Sequence, residues 1–254
     1  MVDFHGDVQT AISGNDPVHI VLPVDSIPRP RLHHKSKNGS IRGIFGATGN
    51  EGDSMMHSWE ALDFVILKPA GVVTAAFAAV ELQDFRQAAA YVHRLLYGRN
   101  TNPMDVLAVM REGRGTCGTK HALLRRLAIE QNLNIALVIG IYEMNQRNTP
   151  GVGMVLEKYG LRSLLEAHCY LRSGHKRIDV TRLTADSSAE PITCFIHEEE
   201  ISADQIGEYK INLHRRFLQQ CEETAAGTKY ALTELWRIRE ECIASLEQRP
   251  RAPI

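Results

Sequence analysis

Cysteine is scarce in this chain, and none of it falls in a pattern that builds a fold. Five cysteines occur in 254 residues, at 117, 169, 194, 221 and 242. Their number is odd, their spacing is wide and no CxxC pair is present, which argues against a disulfide framework and a structural zinc site. Long apolar runs are missing too. The longest, such as "ALVIGIY" (136–142), falls far short of the roughly 20 residues a membrane helix needs. No excess of one charge is present either: the formal net charge is -1, so nothing in the balance points to nucleic acid or an anionic membrane. The opening "MVDFHGDVQTAISGNDP" lacks a basic stretch followed by an apolar one, so a cytoplasmic location is the expectation. No internal repeat is visible.

What is present fits an ordinary globular chain, with 44% hydrophobic and 23% charged residues and enough length to bury a substantial interior as one domain. Residues 1–60 are rich in Gly, Pro, Ser and His. They offer one convincing strand, "VHIVLPV" (18–24), and then an exposed basic loop (28–43) read as solvated. Residues 61–190 form the expected core, and 200–247 a set of C-terminal helices. Within the core, 61–80 suggests a strand or short helix and a second buried element. Leu82, Phe85, Ala88, Ala89, Val92, Leu95 and Leu96 repeat at helical spacing over 81–97. A short helix and a glycine-rich turn (104–115) lead to a helix beginning near Cys117, with Leu123, Leu124, Leu127 and Ala128 on its buried side. "NIALVIGIYEM" (134–144) is continuous and β-branched, as expected of a strand buried on both faces. "SLLEAHCYLRSGHKRIDVTRL" (163–183) reads as two strands joined at Ser173 and Gly174. "HEEE" (197–200) reads as an exposed acidic run. The last helices are interrupted at Gly207 and Gly227.

The chemistry concentrates at Cys117. A thiol must ionise before it attacks, and a helix N-terminus lowers its pKa. Unpaired amides in that first turn can hold a developing oxyanion, and glycines at 113, 115 and 118 leave room for a substrate. The thiol still needs a base and the base an orienting group. A two-residue turn at Ser173 and Gly174 sets Arg172 opposite His175 and His168 opposite Asp179. Facing residues share one side of the ribbon, with Cβ atoms about 4.5–5.5 Å apart. The assignment is Cys117 as nucleophile, His168 as base and then acid, and Asp179 as the group that holds the imidazole.

Three segments in this order, "RGTCGTKHALLRRLA", "EAHCYLR" and "RIDVT", resemble the transglutaminase-like superfamily of papain-like thiol enzymes over roughly residues 81–183. The resemblance implies an α+β fold whose cysteine-bearing helix packs on an antiparallel sheet, here with a C-terminal helical extension. It implies thiol-dependent acyl transfer on an amide or ester, by hydrolysis or transamidation, with a peptide, protein or small amide as substrate. No cofactor, metal, nucleic acid or membrane is expected, and the oligomeric state is left open. The chain departs from the family pattern where Cys169 and Tyr170 follow His168 instead of a small residue and Trp, and where Val180 follows Asp179 instead of Pro or Ala. No side chain for the oxyanion hole is identifiable. The alternative is a non-catalytic peptide- or protein-binding module on the same fold; arylamine acetyltransferases use a similar triad but carry their cysteine much nearer the start.

Other candidates have plainer readings. His121, one helical turn after Cys117, points alongside the thiol and is a weaker base than His168. Cys169 should project away from His168 into the core, and Cys194, Cys221 and Cys242 read as apolar filler.

Overall fold

The chain places a short 3-10 turn (Ser58–Ala61) before helices α1 (Val72–Ala78) and α2 (Phe85–Arg94). It continues through strand β1 (Leu96–Tyr97), helix α3 (Ala108–Arg111), strand β2 (Arg114–Gly115) and helix α4 (Cys117–Glu130). Strand β3 (Ala136–Met144), helix α5 (Gly153–Lys158) and strands β4 (Leu164–Ser173), β5 (Lys176–Ile178) and β6 (His197–Ile201) follow. A second 3-10 turn (Ala203–Ile206) leads into helices α6 (Glu208–Thr224) and α7 (Leu232–Glu247). This computed structural model describes residues 58–62, 65–181, 189–192, 194–224 and 230–248. The expected strand at 18–24, the basic loop and the Gly227 interruption lie outside the described residues. No described helix is long and apolar enough to cross a membrane.

The fold is mixed α+β. Its main sheet has four antiparallel strands in the order β5-β4-β3-β6, and β1 and β2 form a separate parallel pair. The apolar run expected as a strand is β3, and its burial on both sides follows from its neighbours. Leu137, Ile139 and Ile141 share one face with Ala167, Cys169 and Leu171 of β4, all buried; Val138, Tyr142 and Met144 share the other with Glu166, His168 and Tyr170, also buried.

Helix α2 starts at Asp84, whose carboxylate accepts the Gln87 amide, and buries Phe85, Ala88, Ala89 and Val92. It stops earlier than its spacing predicts, because Leu95 turns extended and the chain continues as β1. The buried Lys120 of α4 donates to the carbonyls of Leu95 (2.7 Å) and Thr181 (2.8 Å), so one ammonium ties the end of α2 and the segment after β5 to the central helix. Those acceptors satisfy an otherwise costly buried charge.

Two expectations need correction. The β4–β5 turn is Gly174 and His175, not Ser173 and Gly174: Ser173 pairs with Lys176, Arg172 with Arg177 and Leu171 with Ile178. Gly174 has φ +57°, so the residue that tolerates a left-handed backbone takes the first central position of the two-residue turn. His168 therefore does not face Asp179 directly; the slip is by two residues, which preserves the side of the ribbon. The acidic run is strand β6, paired with β3 from Ile141 to Leu137. Its alternating carboxylates find partners: Glu198 meets Tyr170 and Arg177, Glu200 meets Arg172, and Glu199 accepts from Tyr209 of α6.

Gly140, opposite His168 on β3, admits the Phe195 ring. A Cβ there would lie 2.2 Å from a ring carbon. Phe195 also packs on Tyr142, Tyr170 and the Arg177 guanidinium, so it has little room to retreat. Gly140→Ala is expected to destabilise the protein by about 1–3 kcal/mol through overpacking. A thermal midpoint equal to the parent's would refute this.

Candidate active site

The site is built where a helix end meets a strand edge. Thr116 caps α4: its hydroxyl accepts from the Thr119 amide, and the Thr119 hydroxyl accepts from the Thr116 amide. This reciprocal cap fixes the helix start, so Cys117 occupies the first helical position. Thr116 Oγ1 takes the Thr119 amide and the Thr116 carbonyl takes that of Lys120. The Cys117 and Gly118 amides precede any carbonyl of the helix that could accept them.

Strand β5 pairs only with Leu171–Ser173, which leaves the preceding edge of β4 to other elements. Leu165's carbonyl there takes a ring nitrogen of His214 from α6 at 2.8 Å. The Cys117 thiol interacts electrostatically with the side chains of both His168 and Cys169. Cys169 is buried on the other face of the strand, as expected, yet its thiol interacts with that of Cys117.

His168 Nε2 lies 2.6 Å from Asp179 Oδ2, a charge-assisted distance. That leaves Nδ1 as the ring nitrogen for the thiol. Asp179 stands just past the end of β5, so a diagonal reach replaces the directly facing pair. Its position is overdetermined. Ser58 Oγ bonds both its amide and its carbonyl at 3.0 Å, and its Oδ1 accepts from the Thr181 amide and hydroxyl. The Asp179 side chain is 36% exposed, so water screens part of its attraction to the ring.

His121 serves as a strut. The Val180 amide donates to its Nε2 at 2.9 Å, which puts the ring proton on Nδ1, 2.8 Å from the Cys117 carbonyl oxygen. Burial lowers its pKa to about 4, so the ring is neutral near pH 7. It joins the backbone of Cys117 to the residue after Asp179.

The charges favour an anionic sulfur. A hydrogen bond from Cys169 holds the Cys117 thiol well below its usual range; burial opposes this, and the charges of Lys210 and His168 add to it. Lys210 Nζ, from α6, lies 3.2 Å from Cys117 Sγ. For His168, burial works against the charge, but Asp179's charge and hydrogen bond, with those of Cys117, raise the pKa to about 10. Burial would push Asp179 up; the charge and hydrogen bond of His168, aided by His121 and Thr181, keep it well below the carboxylate range. The coherent resting state is a thiolate beside an imidazolium.

Cys117, His168 and Asp179 all line one pocket of about 200 Å³, walled by Tyr142, Thr149 and Ile192. Glycines 113, 115 and 118, expected to make room for substrate, do not line it. Gly115 abuts Lys120 and Thr119, and Gly118 faces Ile206 and Lys210. Only Gly115 is held small by packing, with a Cβ there 2.9 Å from Lys120 and Thr119, whereas Gly113 takes a left-handed backbone at φ +62°. Cys242 is buried as expected; Cys194 is exposed, which corrects its reading as filler, and the Cys221 side chain lies outside the described residues.

Lys210 was the residue that motif reading missed. A usable signal exists: it shares a helical stripe with Leu213, His214 and Phe217, and a lysine on an apolar stripe needs an anion. Ser58 and Thr181 carry no comparable signal. Among the described residues, no group of three or more His, Cys, Asp or Glu side chains is arranged to hold a metal ion. Comparison with known proteins finds no matching family model, no matching curated protein and no matching solved structure.

Proposed function

We propose that this protein is a thiol acyl-transfer enzyme of transglutaminase-like, papain-related architecture, acting on an amide or ester carbonyl as a hydrolase or a transamidase. One observation carries the reading: Cys117 at a helix start, His168 and Asp179 converge on a single pocket, with the imidazole held at 2.6 Å by the carboxylate. The thiolate attacks the carbonyl carbon, and the oxyanion is received by the first-turn amides of Cys117 and Gly118. His168 gives its proton to the leaving nitrogen or oxygen as that bond breaks, which leaves a Cys117 thioester and a neutral imidazole. Water or an amine then attacks, its proton passes to His168, and the thiolate departs. The pocket is smaller than the roughly 300–1,000 Å³ of sites for drug-sized ligands. This favours a single side-chain amide or a small amide or ester over a long peptide backbone.

A binding module on the same fold is favoured only by the narrow access to the sulfur, since Cys117 is 6% exposed. Alkylation separates the two. With the thiol pKa lowered, the thiolate persists as pH falls past the ordinary thiol range and disappears only below it. Iodoacetamide modification of Cys117 at pH 6 is therefore expected to retain a share of its own high-pH rate at least about 10-fold larger than that of a model thiol of pKa about 8.5. A Cys117 profile that follows the model thiol would end the acyl-transfer reading.

A further inference from the structure

Lys210 lies at the start of α6 and is not among the residues that line the pocket shared by Cys117, His168 and Asp179. Its Nζ reaches to 3.2 Å from Cys117 Sγ. The sulfur therefore has two cationic neighbours of different kinds. His168 faces the pocket and is engaged by Asp179, while Lys210 comes from the C-terminal helices and has no described carboxylate within salt-bridge distance.

We infer that Lys210 is a catalytic residue of the acyl transfer proposed above: a permanent counter-charge for the sulfur anion, complementing a histidine whose charge comes and goes. The inference rests on that reaction. In its first half, the imidazolium gives up its proton as the leaving group departs, just as the sulfur becomes a neutral thioester. In its second half, the acceptor forms a bond to the carbonyl carbon while its proton passes to His168. The C–S bond breaks and its electron pair stays on the sulfur. His168 regains a charge only as that proton arrives, whereas the lysine carries one throughout. Burial disfavours the ammonium, but Cys117, Cys169 and Glu166 raise its pKa and keep it charged. A preorganised cation at the departing thiolate needs no reorganisation at the moment of bond breaking.

This assigns α6 a chemical role. The nucleophile helix and the strand edge bring the triad together, and the C-terminal helices add a second cation from outside the segment that carries the family resemblance.

The test is the pH dependence of iodoacetamide labelling at Cys117, followed by mass of the modified peptide, in the full-length parent, Lys210→Met and Lys210→Arg. Each variant is first checked for parent-like circular dichroism. Lys210→Met is expected to move the labelling midpoint up by about one pH unit or more, which is a rate about 10-fold lower below the parent midpoint. Lys210→Arg, which keeps the charge, is expected to stay within about half a unit of the parent. Superimposable parent and Lys210→Met curves overturn the role of Lys210 and leave acyl transfer standing. A parent midpoint near that of an ordinary thiol, about 8.5, overturns both. Where methionine is not tolerated by the fold, Lys210→Gln is judged by the same two criteria.

Discussion

Cys117→Ser is expected to abolish thioester formation, with a loss of at least about 10⁴-fold, while the fold stays intact. Serine fills nearly the same volume, so the packing of α4 against β4 should survive. The hydroxyl does not ionise under the same influences. Lys210 at 3.2 Å and the His168 imidazolium stabilise a sulfur anion, but an alcohol starts too far above the neutral range for two neighbouring charges to bring it down. The measurement is trapping of the acyl-enzyme from a panel of side-chain amides and small esters, with unfolding followed in parallel. A correctly folded variant that keeps about one per cent or more of the parent's acylation would defeat the assignment of the nucleophile.

Arg239→Met carries the largest expected cost in stability, about 3–5 kcal/mol. Glu166 of β4 is buried at 5% exposure. Arg239 of α7 holds it with two bonds, Nε to Oε2 at 2.7 Å and Nη2 to Oε1 at 2.6 Å. Removing the guanidinium leaves a carboxylate inside the protein without its bidentate partner, and the desolvation of that charge goes uncompensated. Glu166→Leu combined with Arg239→Met is expected to recover most of the loss, because two apolar side chains leave no stranded charge. The pH dependence has a definite sign. Burial raises the Glu166 carboxyl, but Arg239's charge, with that of His214, holds it below its ordinary 4.5. Its stabilisation is whole above about pH 4.5 and is lost as pH falls through the lowered value. The gap between parent and Arg239→Met in denaturant midpoint should therefore narrow in acid. A single-variant loss under about 1 kcal/mol, or a gap that widens in acid, would show that α7 is not held by this pair.

Local chemistry and periodicity in the sequence determined a good deal. The spacing of Phe85, Ala88, Ala89 and Val92 specifies one buried helix face, and the apolar run of β3 specifies a strand covered on both sides. A threonine before Cys117 and another three residues on can close a reciprocal cap, so the helix start at the thiol is a local event. The order of Cys117, His168 and Asp179 and the alternation along a β ribbon put the three residues within reach of one another. Even the misplaced turn kept the histidine and the aspartate on one side, since a slip of two residues leaves the parity of the strand unchanged.

Only the tertiary structure decided what depends on partners distant in the chain. A strand of consecutive glutamates has poor intrinsic β propensity, and β6 exists because Arg172, Arg177, Tyr170 and Tyr209 supply a partner for each of three carboxylates. Cys169 interacts with the thiol although strand alternation sets it on the face opposite His168. Lys210 stands 93 positions from Cys117 along the chain, and no local pattern links an ammonium on one helix to a sulfur on another. Periodicity fixes which side of an element is buried; which charge it then meets depends on how the elements close on one another.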